Sequence, residues 1–202
     1  MVIIGVTGGI ASGKSTVTKF FIDLGAYLID WDVLGHEVML PQKRAWKGVV
    51  DYFGTEILNE DLSINRQILG QLVFNKPEKL QRLNQIVHPE IFKEDKRLVE
   101  KIRSEDPNAI IIKDVPLLTA EIKQTLVDKA VVVYATEENQ IRRLKDRGFT
   151  VEEARRRIGA HVSIDEKMKF ADFVIYNDGS IEETRRQVEK IYDQILLEER
   201  HV

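Results

Sequence analysis

Gly8, Gly13, Lys14 and Ser15 occupy the fixed positions of a G-x-x-x-x-G-K-S pattern within GGIASGKST, residues 8–16. This is the phosphate-binding loop pattern. Glycines let a main chain wrap closely around an anion with its N–H groups turned inward, and a following helix N-terminus adds partial positive charge. Lys14 would bring a mobile ammonium to the β- and γ-phosphates, and the Ser15 hydroxyl can ligate Mg²⁺. Gly8, Gly9, Ala11, Ser12, Gly13, Lys14, Ser15 and Thr16 are therefore the expected nucleotide contacts. The loop implies a nucleoside triphosphate. It leaves open which one, and what becomes of the terminal phosphate.

A second pair of chemically capable residues follows in GAYLIDWDVLG, where Asp30 and Asp32 stand at the end of an apolar run. Open α/β sheets bind ligands at the carboxyl ends of their strands. A kinase acceptor hydroxyl needs an aspartate to orient it and take its proton, and Asp32 is the candidate. The competing reading makes Asp32 only the N-cap of a helix over VLGHEVML. Asp114 closes another apolar run and is open to two readings, a second magnesium-side carboxylate or a support for the turn before Pro116.

Five apolar runs supply the elements that would carry these groups: residues 2–6, 26–30, 109–115, 130–135 and 172–177. Most are too continuously apolar for a one-sided sheet and read as buried parallel strands. Helical patterns separate them, beginning with KSTVTKFFIDLG closed by Gly25, so βαβ units with helices on both faces are expected. Between Asp32 and Ser104 no strand pattern occurs, only helical stretches such as NRQILGQLVF and PEKLQRLNQIVHPEIFKEDKRLVEKIRSE. The expected organisation is a single domain over 1–202, with a core of 1–40 and 107–202 and a helical insertion over about 41–106. Residues 137–169 are strongly charged and read for the most part as solvated helix. Arg143 and Arg147 share a face there, and Arg155, Arg156 and Arg157 follow an expected N-cap at Thr150. A lid over about 138–169 would let such cations close on phosphates.

The composition is that of an ordinary soluble globule: 202 residues, 43% hydrophobic, 31% charged, formal net charge −3. The basic residues are scattered, which does not suggest a nucleic-acid surface. The absence of cysteine excludes disulfides, thiolate metal sites and cysteine nucleophiles. No run approaches membrane-spanning length, and the chain enters a strand at once, leaving no room for a signal peptide. The expectation is a cytoplasmic protein with no membrane, nucleic-acid or protein partner.

VTGGIASGKST, LIDWD, NRQILGQLVF, LNQIVHPEI, DVPLL, RRLKDRG and FADFVIYNDGS occur in the order and spacing of the dephospho-CoA kinases, and the resemblance spans nearly the whole chain. It implies a P-loop NTPase-type α/β fold with a five-stranded parallel sheet flanked by helices, a helical substrate subdomain and a helical lid. It implies transfer of the γ-phosphate of ATP, with Mg²⁺, to the 3′-hydroxyl of dephospho-CoA, giving coenzyme A. By position it makes Thr7 and Asp32 acceptor-side residues and puts Arg66 and His88 on the coenzyme side. Alone, His88 before Pro89 reads more readily as a helix break than as a ligand. Arg143, Arg147 and Arg157 match lid positions, Lys14 with Arg143 and Arg147 belong to the catalytic set, and Asn177 with Gly179 match an adenine-side loop. One departure is His161, where the family usually has glutamine.

Two other functions fit the phosphate loop. Another small-molecule or nucleoside monophosphate kinase would share the pattern. A GTP-binding switch would need N-K-x-D, and NKPE at 75–78 comes near, but Glu78 replaces the aspartate and Pro77 reads as a helix start.

Overall fold

The apolar runs form the strands expected of them, and the charged and amphipathic stretches between them form helices. The computed structural model describes residues 1–74, 76–116, 118–160 and 162–200, with the backbone alone at 200. In chain order the elements are β1 (Val2–Gly8), α1 (Lys14–Asp23), β2 (Tyr27–Asp30), α2 (Trp31–Glu37), α3 (Arg44–Phe53), α4 (Arg66–Val73) and α5 (Pro77–Glu105). There follow β3 (Ile110–Asp114), α6 (Ala120–Leu126), β4 (Lys129–Tyr134), α7 (Glu137–Asp146), α8 (Val151–Gly159), α9 (Ile164–Met168), β5 (Phe173–Tyr176) and α10 (Ile181–Arg200).

The strands make one five-stranded parallel sheet in the order β2-β3-β1-β4-β5. β1 is central, with Val2 opposite Ile110 on one side and Ile4 opposite Lys129 on the other. From β1 the chain builds β2 and β3 on one side and then β4 and β5 on the other, so the segment after β1 lies at the point where the strand order reverses. Ligands bind α/β sheets at that point. All five residues of β3 are buried, as a strand covered on both faces requires. Ile4, Val6, Val17, Phe21, Ile112 and Ile195 share one core cluster, which seats α1 and α10 on the sheet.

Two compact units result, Met1–Ile29 with Ile102–Val202, and Asp30–Lys101. The first holds the sheet. The second is helical, and among its described residues the extended pairing outside β2 is a single antiparallel bridge between Leu58 and Ile64. Leu34, Val49, Phe53, Ile57, Leu69 and Ile91 are among its buried residues.

Within that unit α5 corrects one sequence expectation. His88-Pro89 does not break the helix, which runs unbroken from Pro77 to Glu105 with Pro89 inside it. A proline there removes one N–H and crowds the preceding turn. The exposed position of Pro89 turns its ring to solvent, while Val87 and Ile91 on either side are buried. Packing of the flanking turns outweighs one missing hydrogen bond. Replacing Pro89 by alanine restores a donor to this ladder, and urea unfolding should report a gain of roughly 1–2 kcal/mol. An unchanged midpoint would mean that the helix has already relaxed around the proline.

Candidate active site

α1 begins without a side-chain cap. Its N-cap is Gly13, at φ 92°, and no acidic residue stands in its first turn. By contrast Asp30, Asn65, Thr119, Thr136, Thr150 and Ser163 each cap the helix that follows them. Ala11 at φ 55° and Gly13 both lie in the left-handed region, which curls the loop and gathers successive N–H groups on its inner side. A β-carbon at Gly13 would sit 1.9 Å from Asn177 Nδ2, so close approach as well as φ demands glycine.

The loop carbonyls point away from this concavity and are held from behind. Arg143 Nη1 donates to Ala11 O at 3.1 Å and Ser12 O at 3.0 Å, and its Nη2 donates to Asn177 O at 2.5 Å. Asn177 Nδ2 donates to Ser12 O at 2.7 Å, and the Thr184 hydroxyl donates to Asn177 Oδ1 at 2.8 Å. Arg143 is thus a brace of the loop. Burial pulls its pKa below the ordinary arginine value, opposed by the nearby Asp178 carboxylate. Asp178 in turn accepts from Thr136 N, Thr136 Oγ1 and Asn139 Nδ2, tying the end of β4 to the end of β5.

Lys14 reaches the C-terminal end of β3 and forms an ion pair with Asp114. Ser15 follows it, exposed, in the first turn of α1. A hydroxyl and a carboxylate gathered at a phosphate site suit a hard cation that keeps most of its ligands for phosphate oxygens and water. Thr7 does not present its hydroxyl to solvent: the residue is fully buried, donating to Pro116 O at 3.3 Å and accepting from Lys167 Nζ at 2.9 Å.

In the helical unit the structure separates the two acidic residues. Asp30 is the N-cap of α2, its Oδ1 accepting from Asp32 N at 2.8 Å and Val33 N at 3.0 Å. Asp32 is therefore not the cap. Its carboxylate is exposed in the first turn, and among the described residues no hydrogen bond occupies it. One turn on, His36 contacts the guanidinium of Arg66, and Arg66 also feels the charge of Asp32. The imidazole Nε2 facing an arginine acts as acceptor. Desolvation first, then Arg66, lowers the His36 pKa. His36 and Arg66 line a cavity of about 320 Å³ with Met39, Leu40, Leu69 and Leu83. His88 lines a separate groove along α5, so it does not share that cavity.

The remaining expected residues are dispersed. Arg147 is the exposed C-cap of α7, and the exposed Arg157 lies over the Phe149 ring at 4.3 Å. Thr150 caps α8 reciprocally with Glu153, as its position suggested. A buried cluster of Ala11, Leu144 and Ala154 packs α7 and α8 onto the loop, with Ile10, Ile141, Phe149 and Ile158 around it. Gly179 leaves room for Glu183, whose Oε2 accepts from Ser180 N at 2.8 Å at the start of α10. His161 lies outside the described residues.

The dephospho-CoA kinase family model matches residues 2–183. The chain belongs to the dephospho-CoA kinase family. A dephospho-CoA kinase from Syntrophus aciditrophicus is 45% identical over 201 residues, covering 99% of this chain and 86% of that protein. One from Carboxydothermus hydrogenoformans is 46% identical over 187 residues, covering 92% and 90%. The solved dephospho-CoA kinase from Campylobacter jejuni superposes with a TM-score of 0.73 at 26% identity, covering 98% of each chain. Shikimate kinase from Bacteroides thetaiotaomicron, at a TM-score of 0.51 and 15% identity, shares the fold alone.

Membership in the dephospho-CoA kinase family did not bring forward two residues that the structure does. His36 stands at i+4 from Asp32, a relation legible once α2 was placed. Lys167 is buried with its ammonium under the loop, although DEKMK reads as a solvated run. Ile164, Lys167 and Met168 fall at i, i+3 and i+4, the one signal that marked 167 as inward-facing.

Arg143→Gln tests the brace. Removing a charged donor from three carbonyls should cost about 2–4 kcal/mol of stability in denaturant titration. ATP affinity by calorimetry should fall roughly tenfold or more, since each factor of ten is about 1.4 kcal/mol. Wild-type affinity in a folded variant would show that the loop keeps its shape without this contact.

Proposed function

We propose that this protein transfers the γ-phosphate of ATP to the 3′-hydroxyl of the ribose of dephospho-CoA, releasing ADP and coenzyme A. The observation that carries the reading is the uncapped start of α1 beneath a braced, inward-facing phosphate loop, in a chain of this family. The loop N–H groups and Lys14 hold the triphosphate. Ser15 and Asp114 would hold Mg²⁺, which would supply charge neutralisation for the phosphoryl group being transferred. Asp32 aligns the ribose hydroxyl and accepts its proton as the oxygen bonds to the γ-phosphorus, and the bond from that phosphorus to the bridging oxygen of ADP breaks. Arg66 and His36 offer donor and acceptor capacity to the polar part of the acceptor, with apolar lining beside them for its chain.

Arg147 and Arg157 are exposed and belong, in this reading, to a lid over about 138–169 that closes when both substrates are bound. Arg143, Asn177 and Thr7 act from beneath the loop. Among the described residues no helix is long and apolar enough to cross a membrane, and a cytoplasmic enzyme acting on two dissolved nucleotides is part of the proposal.

A coupled assay for ADP release tests the reaction, with dephospho-CoA set against shikimate, gluconate and nucleoside monophosphates. Turnover confined to dephospho-CoA is expected, and faster turnover of another acceptor would replace it. Asp32→Asn tests the chemistry. Because Asp30 caps α2, the variant should fold normally and bind ATP with Mg²⁺ as the wild type does. Its turnover should fall by roughly 10²–10⁴-fold, the contribution of a positioned base. Turnover within a fewfold of wild type would remove Asp32 from the mechanism.

A further inference from the structure

Lys167 lies on α9, is 1% exposed, and ends beneath the phosphate loop. Its ammonium donates to Thr7 Oγ1 at 2.9 Å, Gly8 O at 3.0 Å and Pro116 O at 2.9 Å. Three donors meet three acceptors, and all three acceptors are neutral. Among the described residues no carboxylate pairs with it. Thr7 and Gly8 end β1 and open the phosphate loop, and Pro116 lies two residues past Asp114 at the end of β3. One side chain thus fastens α9 to the two strand ends that carry Lys14 and its partner Asp114.

A packing role alone does not require a charge here. A buried cation without a counter-ion is costly, and a neutral donor would satisfy the same acceptors without that cost. Burial first, and then the charge of another cation, Lys14, lower the Lys167 pKa to about 8. Around it, Lys14 of α1 is paired with Asp114 of β3, Lys123 of α6 is paired with Asp172, and Glu166 and Lys169 of α9 pair with each other at the surface. A charge maintained in this position is balanced when a polyanion occupies the loop above it.

We infer that Lys167 is a positioning residue for phosphoryl transfer, which sets the separation between the phosphate loop and the Asp114 strand end and presents a buried positive charge to the bound triphosphate from beneath. The inference rests on the proposed use of ATP but not on the identity of the acceptor. ATP binding is therefore measured directly, by calorimetry, apart from turnover.

Lys167→Met, which leaves Thr7 Oγ1, Gly8 O and Pro116 O without this donor, should fold with reduced thermal stability, bind ATP at least tenfold more weakly and lose most of its turnover, while KM for dephospho-CoA stays within about twofold. Lys167→Arg, which keeps the charge, should recover a substantial part of the ATP affinity. Thr7→Val, which removes one of the three acceptors at nearly constant volume, should weaken ATP binding in the same direction by a smaller factor, and it decides the matter if the methionine variant does not fold. ATP affinity within twofold of wild type in folded Lys167→Met, or in Thr7→Val where that variant stands alone, overturns the inference. So does an ATP affinity in folded Lys167→Arg no better than that of Lys167→Met. Intact ATP effects with no turnover of dephospho-CoA would overturn the acceptor assignment and leave the role of Lys167 standing.

Discussion

A loop that turns its N–H groups toward an anion must turn its carbonyls the other way, and buried carbonyls need donors. Most of the architecture around residues 8–13 answers that constraint. Gly8 O is met by Lys167, Gly9 O by Ser12 N, Ala11 O by Arg143, and Ser12 O by both Arg143 and Asn177. Gly13 O accepts from Thr16 N and Val17 N as α1 begins. The long-range donors come from α7, α9 and the end of β5, all far along the chain. The phosphate loop is local in sequence, but its shape is a tertiary property.

The identity of those donors has an electrostatic consequence. Two of them, Arg143 and Lys167, are cations, and both have their pKa values lowered chiefly by burial. Each loses hydration that its neutral acceptors only partly replace. With Lys14 they raise the positive potential at the loop before a ligand arrives, so the dipoles and charges are already oriented toward a polyanion. Lys14 itself is paired with Asp114 at the end of β3. The same few groups thus hold the loop in shape and give it positive potential.

The sheet was legible because buried parallel strands are continuous apolar runs, and each of the five runs contains a strand, with ends shifted by a residue or two. The phosphate loop was legible because its pattern encodes backbone conformation: Gly13 is glycine for a left-handed φ and a close approach to Asn177. Sequence was weaker wherever a polar side chain faces inward. Arg143 and Asn177 were selected as ligand contacts and turn out to hold the loop, because residue type cannot say on which side of a backbone a side chain lies. Lys167 was hidden in a charged run for the same reason. Pro89 misled in the opposite way, since a local breaker signal gave way to packing on the turns around it. What the sequence could not carry was direction, and direction depends on the assembled fold.

Asp30 and Asp32 bring this down to two residues of identical type. Both stand where a carboxylate could cap a helix, and only geometry separates their roles. Asp30 has extended backbone at φ −95° and ψ 114°, the conformation of an N-cap, and its Oδ1 takes both first-turn N–H groups. Trp31 then fixes the turn, donating from Nε1 to the buried Asp95 at 2.9 Å and setting its ring edge-on against Phe92. With Asp30 serving as cap and Trp31 held through its indole, Asp32 stands in the first turn of the helix with its carboxylate unspent. Asparagine could replace Asp30 as a cap without changing that arrangement. In the proposed reaction the carboxylate at 32 accepts a proton, which asparagine could not do. The acidic charge at 30 is dispensable for capping, whereas at 32 the proposed chemistry requires it.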